Sequence, residues 1–144
     1  RIKGFMDTVA DNPNYEIVAQ AVGAGEFEIS ADAMATILKT NVEFDVVMGG
    51  NDPTALGALA SLQQYHREDG VLIYGIDGSP DFKSMLKLGY VTGTSIQSPK
   101  TIGRVAAEAA YQYLDGQEVE PYISIEPEML TRENLEDYEI NGWQ

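Results

Sequence analysis

Ile2, Phe5, Met6 and Val9 recur at i, i+3, i+4 and i+7, the stripe of an amphipathic helix, and the pattern breaks off in "DNPN" at 11–14. "YEIVAQAV" (15–22) then reads as a strand, followed by a loop, "GAGEFEIS". Ser30 at the end of that loop predicts the N-cap of a helix over 31–40, with Met34, Ile37 and Leu38 on one side. "FDVVMGG" (44–50) predicts a buried strand closed by glycines. In "NDPTALGALASLQQYHREDG", Asp52 is positioned to cap a helix, Pro53 stands where the first helical residue tolerates proline, and Gly70 ends the helix.

The same punctuation repeats downstream. Strand 71–76 leads to Ser79 as N-cap, Pro80 at the first helical position, and a short helix carrying Phe82, Met85 and Leu86 up to Gly89. "VTGTSI" (91–96) is a fourth strand, and Ser98 and Pro99 open a helix with Ile102, Val105, Ala106, Ala109 and Tyr113 on one face, closed by Gly116. "YISIEPEML" (122–130) predicts one more extended segment, and "ENLEDYEINGWQ" reads as a polar terminal extension. Strands alternating with helices at this spacing imply βαβ crossovers, hence an α/β fold with a mostly parallel sheet flanked by helices.

Composition narrows the function. At 144 residues and 44% hydrophobic, the chain suits one ordinary core. Nine Lys+Arg against 23 Asp+Glu give a net charge of −14, which argues against nucleic acid and against an anionic membrane surface, since both need a basic footprint. The absence of cysteine excludes thiol catalysis, disulfides and cysteine-ligated metals. No stretch approaches the ~20 apolar residues of a membrane span. The chain opens "RIKGF" without methionine, which reads as a truncated front end.

In open α/β sheets ligands bind beyond the carboxyl ends of the strands. The residues expected there are Phe27, Asn51 with Asp52, Asp77 and Gln97. Amides and carboxylates that bridge neighbouring hydroxyls, with an aromatic face for the C–H side of a ring, suit a polyhydroxylated ligand. Enzyme patterns are not met. Gly75 stands where a phosphatase nucleophile would precede "DG", and there is no GxxxxGK[ST] loop, no GxGxxG after a strand, and no GxSxG elbow. His66, the only histidine, falls near the end of a helix, and "DNPNYE" is a turn rather than a calcium loop, so neither a cofactor nor a metal is expected. Asp77 and Asn51 also read as turn formers and helix caps, Phe27 as a packing residue, and Trp143 as a residue that packs or dangles.

"RIKGF", "GGNDPTALGALASL", "YGIDGSPDFKSMLKLG", "TGTSIQSPKTIGRVAAEAAYQYLDG" and "MLTREN", in this order and spacing, resemble the C-terminal half of the ribose-binding-protein-like sugar receptors. These are type I periplasmic binding proteins that deliver sugars to ABC importers. The resemblance implies two α/β lobes joined by three crossovers, with a sugar held between them and no bond broken. It implies that residues 1–97 belong to the second lobe, which lacks its opening helix and central strand. Residues 98–116 would be a helix that packs on the absent first lobe, and 117–144 the hinge return and a C-terminal extension. Arg1, Phe27, Asn51, Asp77 and Gln97 match the family's ligand-binding positions. Asp77 would accept from hydroxyls, Arg1 would donate and balance that carboxylate, and Asn51 and Gln97 would do both.

The implied partners are a monosaccharide, pentose or hexose, and the membrane subunits of an ABC transporter. The implied location is extracytoplasmic, in the periplasm or lipid-anchored outside the membrane of a Gram-positive cell. A sheet lacking its central strand exposes edges, so self-association of this piece is expected. The alternative is the effector domain of a LacI-type regulator, but such regulators tend to read "GFDD" and "LTT" where this chain has "GIDGSPD" and "TGTSIQSP".

Overall fold

Three of the helices begin where a short polar side chain precedes a proline, because that side chain accepts an otherwise orphaned amide and proline has no amide to orphan. In the computed structural model, which describes residues 1–144, these are α3 (Asp52–Gln64), α4 (Pro80–Leu88) and α5 (Pro99–Leu114). Their N-caps Asn51, Ser79 and Ser98 accept from the amides of Thr54, Phe82 and Thr101. The remaining helices are α1 (Ile2–Ala10) and α2 (Phe27–Leu38), and the strands are β1 (Val46–Met48), β2 (Leu72–Asp77), β3 (Gly93–Ile96) and β4 (Glu128–Thr131).

The four strands form one sheet in the order β1-β2-β3-β4. β1, β2 and β3 are parallel, with Val47 opposite Ile73 and Tyr74 opposite Gly93, and β4 runs antiparallel to β3, with Leu130 opposite Thr94. The core lies where α2, α3 and α4 meet this sheet. Leu38, Leu59, Leu62, Ile73, Phe82, Leu86 and Leu130 are among its large apolar members. α2 lies close on α3 because Gly57 presents no side chain to the first turn of α2, where a Cβ would strike the carbonyl of Phe27. Ser61 donates to the Ala31 carbonyl at 2.6 Å across the same contact.

Several expectations are corrected. Residues 15–22 form no strand; they pair with no neighbouring strand and leave Tyr15, Ile17, Val18 and Val22 exposed. Strand propensity is realised only by pairing, and no strand of the sheet lies alongside them. α2 begins one turn earlier than predicted, with Glu26 rather than Ser30 as N-cap, and Ser30 sits inside the helix with its hydroxyl donating to the Glu26 carbonyl. Asn51, not Asp52, caps α3, and that helix stops at Gln64 because Tyr65 and then His66, at φ +55°, turn the chain before Gly70. Of the extended segment 122–130, pairing covers only its end, within β4. The segment 133–144 is no polar extension, for it carries Leu135 into the core and packs Tyr138 and Ile140 against it. No helix is long and apolar enough to cross a membrane.

Candidate ligand site

Because β1, β2 and β3 are parallel, their carboxyl ends share one edge, and the residues just beyond are Asn51, Asp77 and Gln97. Asn51 begins α3 with its Oδ1 accepting from the Thr54 amide at 3.0 Å. Its Nδ2 donates to the Gly25 carbonyl at 3.0 Å, which ties the loop ahead of α2 to this edge. Phe27 therefore reaches the edge as the first residue of α2.

Asp77 ends β2 at φ +130°, a conformation that non-glycine residues rarely adopt and that costs on the order of 1–3 kcal/mol. A buried brace holds it there. Thr94 Oγ1 donates to Asp52 Oδ1 at 2.6 Å and accepts from the Gly78 amide at 3.2 Å. Asp52 Oδ2 accepts from the Ser79 amide at 2.6 Å. Gly78, at φ +74°, is needed for its conformation and for space, since a Cβ would meet the Ile96 side chain. Burial pushes the Asp52 carboxyl above its ordinary range, opposed by the hydrogen bonds from Thr94 and Ser79 and reinforced by the charge of Asp77.

The brace leaves the Asp77 carboxylate at the surface. Its Oδ1 accepts from Arg1 Nη2 at 2.9 Å and from Gln97 Nε2 at 2.8 Å. Arg1 Nη1 donates to the Gly50 carbonyl at 3.1 Å, so one guanidinium spans the loops after β1 and β2. Asp77 Oδ2 takes no hydrogen bond from the chain, and the Arg1 and Asp77 side chains are 44% and 24% exposed, within reach of a ligand. A cavity of about 560 Å³ opens here, with Phe27, Pro53, Leu56, Pro80 and Trp143 as its less polar walls and Asp77 among its polar ones.

Of the five residues singled out in the sequence, Arg1, Asp77 and Gln97 thus form one hydrogen-bonded cluster. Phe27 shares the cavity with Asp77, and Asn51 lies beside them with its amide engaged as cap and tether. Sequence reasoning missed Asp52 and Thr94 as the brace behind Asp77. The array donates and accepts hydrogen bonds beside aromatic and aliphatic surface, a combination suited to hydroxyls on a ring. No group of three or more His, Cys, Asp or Glu residues is arranged to hold a metal ion, and His66 lies at the opposite end of α3 from the site.

The profile of the periplasmic binding protein domain matches residues 1–118. The chain is 28% identical over 144 residues to the ribose import binding protein of Salmonella typhimurium, covering 92% of this chain and 48% of that protein. Among solved structures, it superimposes with a TM-score of 0.90 and 29% identity on an ABC transporter solute binding protein of Bacillus halodurans with bound myo-inositol, covering 98% of this chain and 49% of the other. A periplasmic solute binding protein of Actinobacillus succinogenes with bound D-allose gives a TM-score of 0.89 at 27% identity, covering 94% and 48%. The chain spans about half the length of the curated relatives it matches.

Proposed function

The chain belongs to the periplasmic binding protein domain family, and on that premise we propose that it is the second-lobe portion of a sugar receptor for an ABC importer. In this reading a monosaccharide, pentose or hexose, binds reversibly between two lobes, closure of the lobes signals the loaded state to the membrane subunits of the importer, and no bond is made or broken. The ligand-binding residues are Arg1, Phe27, Asn51, Asp77 and Gln97. The location is extracytoplasmic. Relatives of the chain bind sugars or inositol for such importers and include periplasmic solute-binding proteins, which supports both points.

One observation carries the reading. A strained Asp77 is braced from behind by Asp52 and Thr94 so that one carboxylate oxygen is saturated by Arg1 and Gln97 and the other is open. Holding an acceptor in place before the ligand arrives spares binding the entropy of ordering it, which is what a receptor needs and a structural turn does not. In the complex, Oδ2 of Asp77 accepts a hydroxyl, Arg1 and Gln97 offer their remaining N–H groups to oxygens, and Phe27 covers a C–H face.

The division of the molecule fits the same proposal. The outer edge of β1 has no neighbour, and 15–22 is paired with no strand. A further strand supplied by the rest of the receptor satisfies both. α5 has no buried residue, as befits a helix that packs on another lobe.

Isothermal titration of the full-length protein with a panel of aldoses and myo-inositol tests the proposal. One member is expected to bind at micromolar concentration or tighter, and Asp77→Ala is expected to abolish its heat. Sugar binding that survives this substitution unchanged overturns the site.

A further inference from the structure

The last residues of the chain reach the same cavity as Asp77, and their attachment is unusually firm. β4 fastens residues 128–131 to β3. The Asn134 side chain then closes the next turn by accepting from the Thr131 amide and donating to the Met129 carbonyl. Leu135 is buried, and Tyr138 Oη donates to Glu128 Oε2 at 2.5 Å.

The strongest fastening is Lys83. This residue of α4 has no exposed surface, and its ammonium donates to the carbonyl oxygens of Glu139 and Gly142, each at 2.5 Å. Burying an ammonium is costly unless it is hydrogen-bonded, and here it is spent entirely on the main chain of one segment. Across the next residue, the Lys100 amide donates to the Gln144 carbonyl at 3.2 Å. The backbone of Trp143 is therefore held on both sides, by α4 and by the start of α5.

Trp143 is nevertheless 42% exposed, close to the 45% of Phe27, and both residues line the cavity that Asp77 enters. A rigid backbone that presents a large aromatic ring to solvent beside an open carboxylate gains nothing for the core. It is the arrangement of an aromatic contact for something that fills the cavity. We infer that Trp143 is a second aromatic contact for the ligand, positioned by the Lys83 clamp, so that the site has aromatic surface on Phe27 and on Trp143 beside the carboxylates of Asp77 and Asp81. The chemistry selected is a neutral polyhydroxylated ring with C–H surface for both.

This inference rests on the sugar-receptor reading. The test uses the full-length protein with D-ribose, D-allose and myo-inositol as probes. For the tightest of these, Trp143→Ala is expected to weaken binding about five- to tenfold. Trp143→Phe, which keeps an aromatic face, is expected to weaken it about two- to threefold on the same scale. Saturating sugar should change tryptophan emission in the wild type, and that component should be missing in Trp143→Phe, a readout that a merely structural role would not move. Lys83→Met, which frees the segment, should weaken binding in the direction of Trp143→Ala.

Calorimetric binding abolished by Asp77→Ala but left within about 1.5-fold by Trp143→Ala, with the same emission change in wild type and Trp143→Phe, overturns the role of Trp143 and leaves the receptor reading standing. Failure of all three probes to bind, with the wider sugar panel also silent, overturns the receptor reading itself. Should Trp143→Ala fail to fold, the emission comparison decides alone.

Discussion

Helices α3 and α5 start alike and end up in opposite circumstances. Each opens with a proline in its first turn behind a capping side chain, Asn51 in one and Ser98 in the other, and each is rich in alanine. Yet α3 buries Asp52, Ala55, Gly57, Ala58, Leu59, Ser61 and Leu62, while α5 buries nothing and leaves Ile102, Tyr111, Tyr113 and Leu114 in solvent. Capping decides where a helix begins, and neighbours decide what it is worth. α3 is the beam on which β1, β2, α2 and α4 rest and from which Asp52 braces the site. α5 is an amphipathic surface whose partner lies outside these 144 residues in the reading proposed above.

The largest test of that contrast is a pair of truncations. Leu62→Ala, at a fully buried position in α3, should cost about 2–5 kcal/mol in urea unfolding of this chain. Ile102→Ala in α5, at a position 43% exposed, should cost under about 0.5 kcal/mol in the same chain, and more in the full-length protein. Equal losses from both truncations in the isolated chain would erase the distinction.

Next in size is Gly78→Ala, which puts a Cβ against Ile96 at a positive φ and should cost about 1–3 kcal/mol. It should also remove sugar binding by moving Asp77, and retention of full affinity would show that the turn does not set the carboxylate.

Asp52→Asn should cost about 1–2 kcal/mol, because an amide nitrogen replaces one of two acceptors. It also carries a sign. The folded protein holds a proton on Asp52 at pH values where the unfolded chain has released it. Stability is therefore lost as pH rises from the ordinary carboxylate range through the raised Asp52 value, and this contribution is flat above that window. Asp52→Asn should remove that slope from denaturation midpoints measured across the acid range. A slope unaltered by the substitution would assign it to another group.

The smallest expected effect on stability, within about 0.5 kcal/mol, belongs to the double variant Tyr111→Lys and Leu114→Lys, two residues 71% and 77% exposed. Its effect should instead be on association. The isolated chain is expected to sediment as dimers or larger species and the variant toward monomer. A wild-type chain that is monomeric at high concentration would mean that its exposed apolar face needs no cover.

How much of this was legible beforehand follows from the range of the forces involved. The stretch from β2 through Ser79, Pro80 and Gly89 was readable because caps, a proline and a left-handed glycine act within one turn of chain. The convergence of Arg1, Asp77 and Gln97 was readable through the resemblance and from the rule that parallel strands end at one edge. Residues 15–22 misled because a strand is a relation between two segments, and no segment of these 144 residues pairs with them. The segment 133–144 misled because its composition is polar while its attachments are Leu135, Tyr138, Ile140 and two main-chain carbonyls. Those carbonyls are met by Lys83 from 56 and 59 residues away, and main-chain acceptors leave no mark in a pattern of side chains.

The ion pair between Arg1 and Asp77 has a wider consequence. In a chain of net charge −14, an unpaired carboxylate at this edge would add to an already negative field. A guanidinium 2.9 Å from that carboxylate offsets its charge locally while the rest of the exterior stays acidic. In the reading proposed above, an uncharged guest then meets a carboxylate already balanced by a cation of the chain itself.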